Sequence, residues 1–187
     1  MDGSVRPLFV NRFHQMAIYT DKPEFAVKQM KALGYTEWIH DQATLTGEVG
    51  GKQFSSEGRM WFNYEFYGDA GLQGDAVPHW QRRPSELEFL EYAGYSWHEA
   101  AGRTERNGQL PEGAEPFLSH MSCYVNDAEP EVDRLYKEYG LEVIQWFATS
   151  DHLNKYLKDK KQTFYEFIFD TRLMFGYDLK IIQRVQH

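Results

Sequence analysis

The sequence predicts an α+β fold built from two tandem β-α-β-β-β modules, and three observations predict it. First, "NRFHQMAIYTDKPEF" from Asn11 and "LSHMSCYVNDAEPEV" from Leu118 share one pattern: a histidine, an alternating apolar run, then an aspartate seven residues past the histidine. Aligning His14 with His120 sets an offset of 106 (120 − 14), which also carries Asp21 to Asp127 and Gly34 to Gly140 without a gap. Second, several runs alternate with period two, as strands do, and stripes at helical spacing fall between them. Third, aromatic residues make up 16% of the chain, a composition that favours strands and enclosed cavities.

Each element follows in order. "FHQMAIY" alternates as a first strand. Asp21 is the expected N-cap of the helix after it, with Pro23 in the first turn and Glu24 at the capping-box position. Ala26, Met30 and Leu33 give the helix an apolar stripe, and Gly34 stops it. "TEWI" resumes extended structure, followed by strands at 59–68 and 85–92. In the second module "HMSCYV" is the first strand and Asp127 with Pro130 opens the helix. Val132, Leu135, Tyr136 and Tyr139 form its stripe, and Gly140 ends it. "EVIQWF", "TFYEFIFD" (163–170) and "YDLKIIQR" (177–184) complete the set. The modules therefore run over 11–97 and 117–187, in one compact domain. The segment 98–116, rich in Gly, Glu and Arg, is expected as an exposed linker, and 68–84 as a second long loop.

Composition excludes some partners. The net charge is −8, without a basic stripe, so the electrostatic footprint of a nucleic-acid binder is missing. An anionic surface also argues against acidic membranes. No stretch reaches the length of a membrane span. The one cysteine, Cys123, permits neither a disulfide nor a cysteine-rich zinc site. A soluble cytoplasmic protein that takes a small-molecule ligand, as monomer or homodimer, is the expectation.

Two β-α-β-β-β modules with a histidine in the first strand of each resemble the vicinal oxygen chelate superfamily, the group of glyoxalase I, extradiol dioxygenases, methylmalonyl-CoA epimerase and the bleomycin- and fosfomycin-resistance proteins. The resemblance spans Asn11 to Val185 and rests on order and register. It implies a curved, cup-like mixed sheet with the helices outside, and metal ligands projecting into the cup from the first and last strand of each module. Carried over, the first-strand positions are His14 and His120. "ELEFLEY" resembles the family's "IEL" stretch and places Glu88 at a ligand position. "GYDLKII" is similar to "GYKIELI", but Lys180 replaces the expected carboxylate.

The resemblance implies His14, Glu88 and His120 as ligands of a divalent metal, Fe, Mn, Ni or Zn, with Glu88 and Lys180 as catalytic groups. If His14 faces the cup, alternation puts Met16 and Ile18 beside it, with Ser122 and Tyr124 beside His120 and Arg184 beyond Lys180. Tyr92, Tyr124 and Arg184 are then candidate substrate-binding residues. Against the metal stands a second reading, in which Lys180 pairs with Glu88 across an empty cup. Glu86 and Asp178 are near-misses beside these positions. His79, with Trp80, Arg82 and Arg83, belongs to the 68–84 loop, and His40, His98, His152 and His187 fit no pattern and are expected at the surface. The resemblance implies a glyoxalase-like protein binding a small oxygenated molecule, as a metal-dependent isomerase, lyase or dioxygenase. The alternatives are a metal-free binding or sequestering protein of the bleomycin-resistance type, or a scaffold with a degenerate site.

Overall fold

The computed structural model describes residues 13–63, 86–159 and 161–187. The 68–84 loop, with His79, Trp80, Arg82 and Arg83, lies outside the described residues. The chain is α+β. The first module comprises β1 (Gln15–Tyr19), α1 (Pro23–Ala32), β2 (Trp38–Val49), β3 (Lys52–Asn63) and β4 (Glu86–Tyr92). A connector carries α2 (Trp97–Ala100) and a 3-10 turn (Arg106–Gly108). The second module comprises β5 (Phe117–Val125), α3 (Ala128–Tyr139), β6 (Val143–Ser150), the short α4 (Lys155–Asp159), β7 (Gln162–Phe169), the short α5 (Arg172–Phe175) and β8 (Asp178–Gln186).

The curved sheet closes on itself. Its strand order is β1-β4-β3-β2-β6-β7-β8-β5, with β5 returning to β1. Two antiparallel seams join the modules: β1/β5, with Gln15 opposite Ser122, and β2/β6, with Thr44 opposite Ser150 through to Val49 opposite Gln145. Counted around the order, the seams lie four strands apart, on opposite sides of the barrel. Closure leaves no open sheet edge at either seam.

Local chemistry explains the elements. Gly50 and Gly51, both with positive φ (52° and 79°), make the two-residue turn between β2 and β3, a geometry whose twist matches a hairpin. Asp127 caps α3 by accepting the Glu129 N–H (3.4 Å), and Gly140 ends it at φ 67°. The first module differs: Lys22, not Asp21, is the α1 N-cap, and no side chain caps it. Pro23 at the first helical position removes one of the amides a cap would serve, while Thr20 Oγ1 accepts the Lys22 N–H (3.1 Å).

Alternation divides the side chains into two cores. Outside the barrel, α3 packs Leu135 and Ala128 onto Cys123, Val125, Leu179 and Ile181, while Val27 of α1 covers Leu87 and Phe89 together with Met16 and Ile18. Burying each large apolar side chain contributes roughly 1.5–3 kcal/mol. Leu33 and Tyr136, expected in the stripes, are exposed instead. Inside the barrel lie Ala17, Tyr19, Leu45, Leu90, Tyr92, Phe147 and Ile168. The segment read as an exposed linker is anchored. Trp97 and His98 are buried against Tyr19, Tyr92 and Phe117 and stop one end of the barrel. Tyr19 donates to the Gly108 carbonyl (2.7 Å) to hold the 3-10 turn there. No described helix is long and apolar enough to cross a membrane.

Candidate functional site

The parallel ladders fix the register of the polar wall. Glu88 sits beside Ala17 in β1, and Lys180 beside Ser122 in β5. If Glu88 and Lys180 are equivalent, so are Ala17 and Ser122, and Gln15 is the counterpart of His120, at an offset of 105 (120 − 15). The inward face of β1 is therefore Gln15, Ala17 and Tyr19, while Met16 and Ile18 pack under α1. His14 precedes the ladder. Its Nδ1 accepts the backbone N–H of Tyr124 (3.3 Å) and its ring meets the Tyr124 ring edge-on.

Gln15, Glu88, His120 and Lys180 come together across β1, β4, β5 and β8, all less than a tenth exposed. His120 Nε2 lies 3.1 Å from Gln15 Oε1 and 3.4 Å from Glu88 Oε2. Gln15 Oε1 also accepts from the Ser122 hydroxyl (2.7 Å), and Gln15 Nε2 donates to Glu86 Oε1 (2.8 Å). Behind this wall runs a chain of hydrogen bonds: Arg103 Nη1 to His98 Nδ1 (3.3 Å), His98 Nε2 to Ser119 Oγ (2.7 Å), and Ser119 Oγ to His120 Nδ1 (3.0 Å). Arginine can only donate. His98 Nδ1 must accept, so its Nε2–H donates to Ser119, and Ser119 donates to His120 Nδ1. His120 is left with its proton on Nε2, turned towards Gln15 and Glu88.

Burial sets the charge states. Desolvation, opposed by the Lys180 ammonium and assisted by Glu86 and Glu166, pushes Glu88 up to about 8, so it is largely a carboxylic acid at neutral pH. Desolvation first, then the positive charge of Lys180, holds His120 well below the ordinary imidazole range. Burial and Arg103 do the same to His98. Lys180 is not paired with Glu88. Its ammonium donates to Glu166 Oε2 of β7 (2.6 Å), and the other Glu166 oxygen accepts from Thr149 Oγ1 (2.7 Å).

Gln15, Glu88, Thr149, Glu166 and Lys180 border a cavity of about 260 Å³ within the barrel, with His120 behind Gln15 and Glu88 and not among the lining residues. Leu45, Met60, Phe147, Phe164 and Ile182 supply apolar wall, and Gln15, Glu86, Glu88, Glu166 and Lys180 are the polar residues on or near the first seam's side. Tyr92 and Tyr124 line it; Arg184 is half-buried at the far end of β8 and is not among the lining residues. Burial, with Glu88 adding to it, raises the Tyr92 phenol well above its ordinary value. Asp178 is engaged elsewhere, accepting from Trp97 Nε1 (3.0 Å) and Arg103 (2.6 Å) at the stopped end. His40 and His187 are exposed, as expected, but His98 and His152 are not. His152 lines the cavity, with Nδ1 2.7 Å from Asp41 Oδ2.

The expected ligand set of His14, Glu88 and His120 is not assembled, because His14 is held at Tyr124. Among the described residues no three His, Cys, Asp or Glu side chains are grouped to hold a metal ion. The one imidazole in the wall, His120, presents an N–H instead of a lone pair, and a lysine ammonium occupies the fourth position. A divalent metal does not fit this arrangement, since it requires deprotonated ligands.

Gln15, Glu166 and Asp41 were given no role from the sequence, and His152 was expected at the surface. Glu166 carried a signal: it is the one charged residue in "TFYEFIF", in phase with inward Phe164 and Ile168. Asp41 and His152 lie 111 positions apart, and no local pattern joins them.

No protein-family model and no curated protein matches the sequence. Among solved structures the chain is similar to a methylmalonyl-CoA epimerase. The likeness covers 96% of this chain and 98% of that one, at 12% identity and a TM-score of 0.42. At that distance the chemistry has to be read from the cavity itself.

Proposed function

We propose that this chain binds a small, predominantly apolar molecule carrying a hydrogen-bond-accepting oxygen, inside the closed barrel and without a metal. One observation carries the reading: a cavity of about 260 Å³ with a largely apolar and aromatic wall, into which Glu88 is set, buried and, among the described residues, making no hydrogen bond through Oε2. The volume is near the lower end of small-molecule sites, about 300 Å³. A carboxylic acid is a donor, so the ligand brings the acceptor; a ketone, aldehyde or nitro group meets that need. A free carboxylate is disfavoured by Glu86 and Glu166. Of the functions that the resemblance implies, the metal-free binding protein agrees best with these residues. The metal-dependent isomerase, lyase or dioxygenase lacks its ligand set.

A thermal-shift screen of small aromatic and aliphatic carbonyl compounds in EDTA tests this, with tryptophan fluorescence as a second signal because Trp97 packs against the cavity residue Tyr92. Stabilising compounds are expected to act in EDTA and to lose their effect in Leu45→Trp, which fills the space. Binding that appears only with added Fe(II), Mn(II), Ni(II) or Zn(II) would overturn the reading.

A further inference from the structure

The cavity has a second polar element, on the seam opposite Gln15 and His120. Asp41 is in β2, three residues before the β2/β6 ladder begins at Thr44, and His152 lies just past the end of β6. The Leu153 N–H to Gln42 carbonyl bond (2.8 Å) carries the seam on to this point. Asp41 is 1% and His152 4% exposed, and both line the cavity. The carboxylate is fixed at both oxygens: Oδ2 faces His152 Nδ1 at 2.7 Å and Oδ1 accepts the Asn154 N–H at 2.9 Å. The ring is fixed from another side by the edge of Phe164. With Nδ1–H donating to Asp41, the neutral ring carries its lone pair on Nε2. That atom is buried and has no hydrogen-bond partner among the described residues.

A buried nitrogen without a partner is expensive to keep, and a carboxylate that sets the tautomer of a neighbouring imidazole is the arrangement by which a histidine is made a base. We propose that His152, positioned by Asp41, is a general base serving the barrel cavity, which makes the molecule a metal-free proton-transfer catalyst. The inference rests on the cavity binding a small molecule. Its substrate class is a small apolar compound with a weakly acidic C–H or O–H and an electron-withdrawing acceptor group. The proton leaves the ligand and forms an N–H bond at Nε2. The electron pair of the broken bond stays on the ligand, the imidazolium is stabilised by Asp41, and the acceptor group meets the donor Glu88 across the barrel. Return of the proton from Nε2 restores the enzyme, and no other reactant is consumed.

The test uses 5-nitrobenzisoxazole, a planar apolar probe whose single reaction with a base is proton loss from carbon coupled to N–O cleavage, giving a coloured cyanophenolate. Binding is read by tryptophan quenching and turnover by absorbance, both in EDTA. The intact protein is expected to turn the probe over faster than free imidazole at equal concentration. His152→Ala is expected to lower kcat about a hundredfold, with partial rescue by added imidazole. Asp41→Asn is expected to lower kcat about tenfold with KM within threefold, a split that a loosened fold would not produce. If His152→Ala does not fold, His152→Gln, which keeps a donor towards Asp41, replaces it. Binding of the probe without turnover above imidazole, or turnover unchanged in the His152 variants, overturns the base while leaving the cavity reading intact. No binding at all overturns both.

Discussion

The two seams that close the barrel are built differently, although a pseudo-two-fold axis passes through both. The β2/β6 seam is closed by backbone. Its strands pair in unbroken register from Thr44 to Val49, and a Cβ added at Gly47 would collide with the Trp146 carbonyl and come within 2.6 Å of Phe147 Cα. The β1/β5 seam is short and slips register between Ala17 and Ile18, and the side chains of Gln15, Ser122 and His120 bind it together. Functional groups follow the difference. At the first seam the polar groups hydrogen-bond to one another, and the network holds His120 as a donor. At the second, Asp41 and His152 stand past the end of a complete ladder, and one ring nitrogen is left without a partner among the described residues. A wall whose polar groups are tied into one network, with the Glu88 carboxyl at its face, suits orientation of a ligand; a wall with an orphaned imidazole lone pair suits chemistry on it.

If the second seam is held by close backbone approach, it should fail through the backbone. Gly47→Val is therefore the largest effect expected: a loss upwards of about 3 kcal/mol, from overpacking that no rotamer can relieve. A chemical denaturation series checks it. A melting temperature within a few degrees of the parent would show that the seam tolerates a side chain and that the contrast is wrong.

Comparable in size is the ion pair linking β8 to β7. Removing one partner of a buried pair leaves an uncompensated charge and costs about 3–5 kcal/mol. Glu166→Leu alone is expected to approach that loss, and the double variant Glu166→Leu/Lys180→Met to recover most of it. Additive losses in the double variant would mean that Lys180 answers to Glu88, the partner that sequence order suggested.

How much of this was legible in advance depends on the range of the cause. Strand alternation, the Asp127 cap and the Gly140 stop are local, and the α+β modules followed from them. Barrel closure was not legible, because pairing Thr44 with Ser150 depends on residues about a hundred positions apart. His14 shows the limit most plainly. The histidine repeat and the Asp and Gly anchors agree at an offset of 106, yet the strands align at 105, because the ladder starts at Gln15 and the extra residue is absorbed outside it. A one-residue slip exchanges the faces of a strand, so an otherwise sound pattern placed Met16 and Ile18 in the cavity instead of under α1. His98 was hidden for another reason: its segment is polar in composition, and only the Tyr19, Phe117 and Ser119 contacts bury it.

The smallest effect expected separates the first seam's donors from a metal site by pH. Glu88 lies at about 8 in the folded chain, above the value it has when unfolded, so between the two the folded state holds a proton that the unfolded state has lost. Stability contributed by this group is therefore complete in acid and lost as pH rises through 8, at a slope of up to about 1.4 kcal/mol per pH unit. His98 and His120 oppose it only lower down. Held neutral when folded, they destabilise the fold where unfolded histidine charges, below about 6.5. Between pH 7 and 8 the Glu88 contribution is the one that remains of the three. Denaturant midpoints across that interval should fall for the parent and stay level for Glu88→Gln, which keeps the shape and a donor but cannot ionise. A carboxylate poised for a cation would give the opposite sign, gaining stability with pH on addition of Zn(II). Parallel slopes in parent and variant would remove Glu88 as the neutral donor facing the cavity.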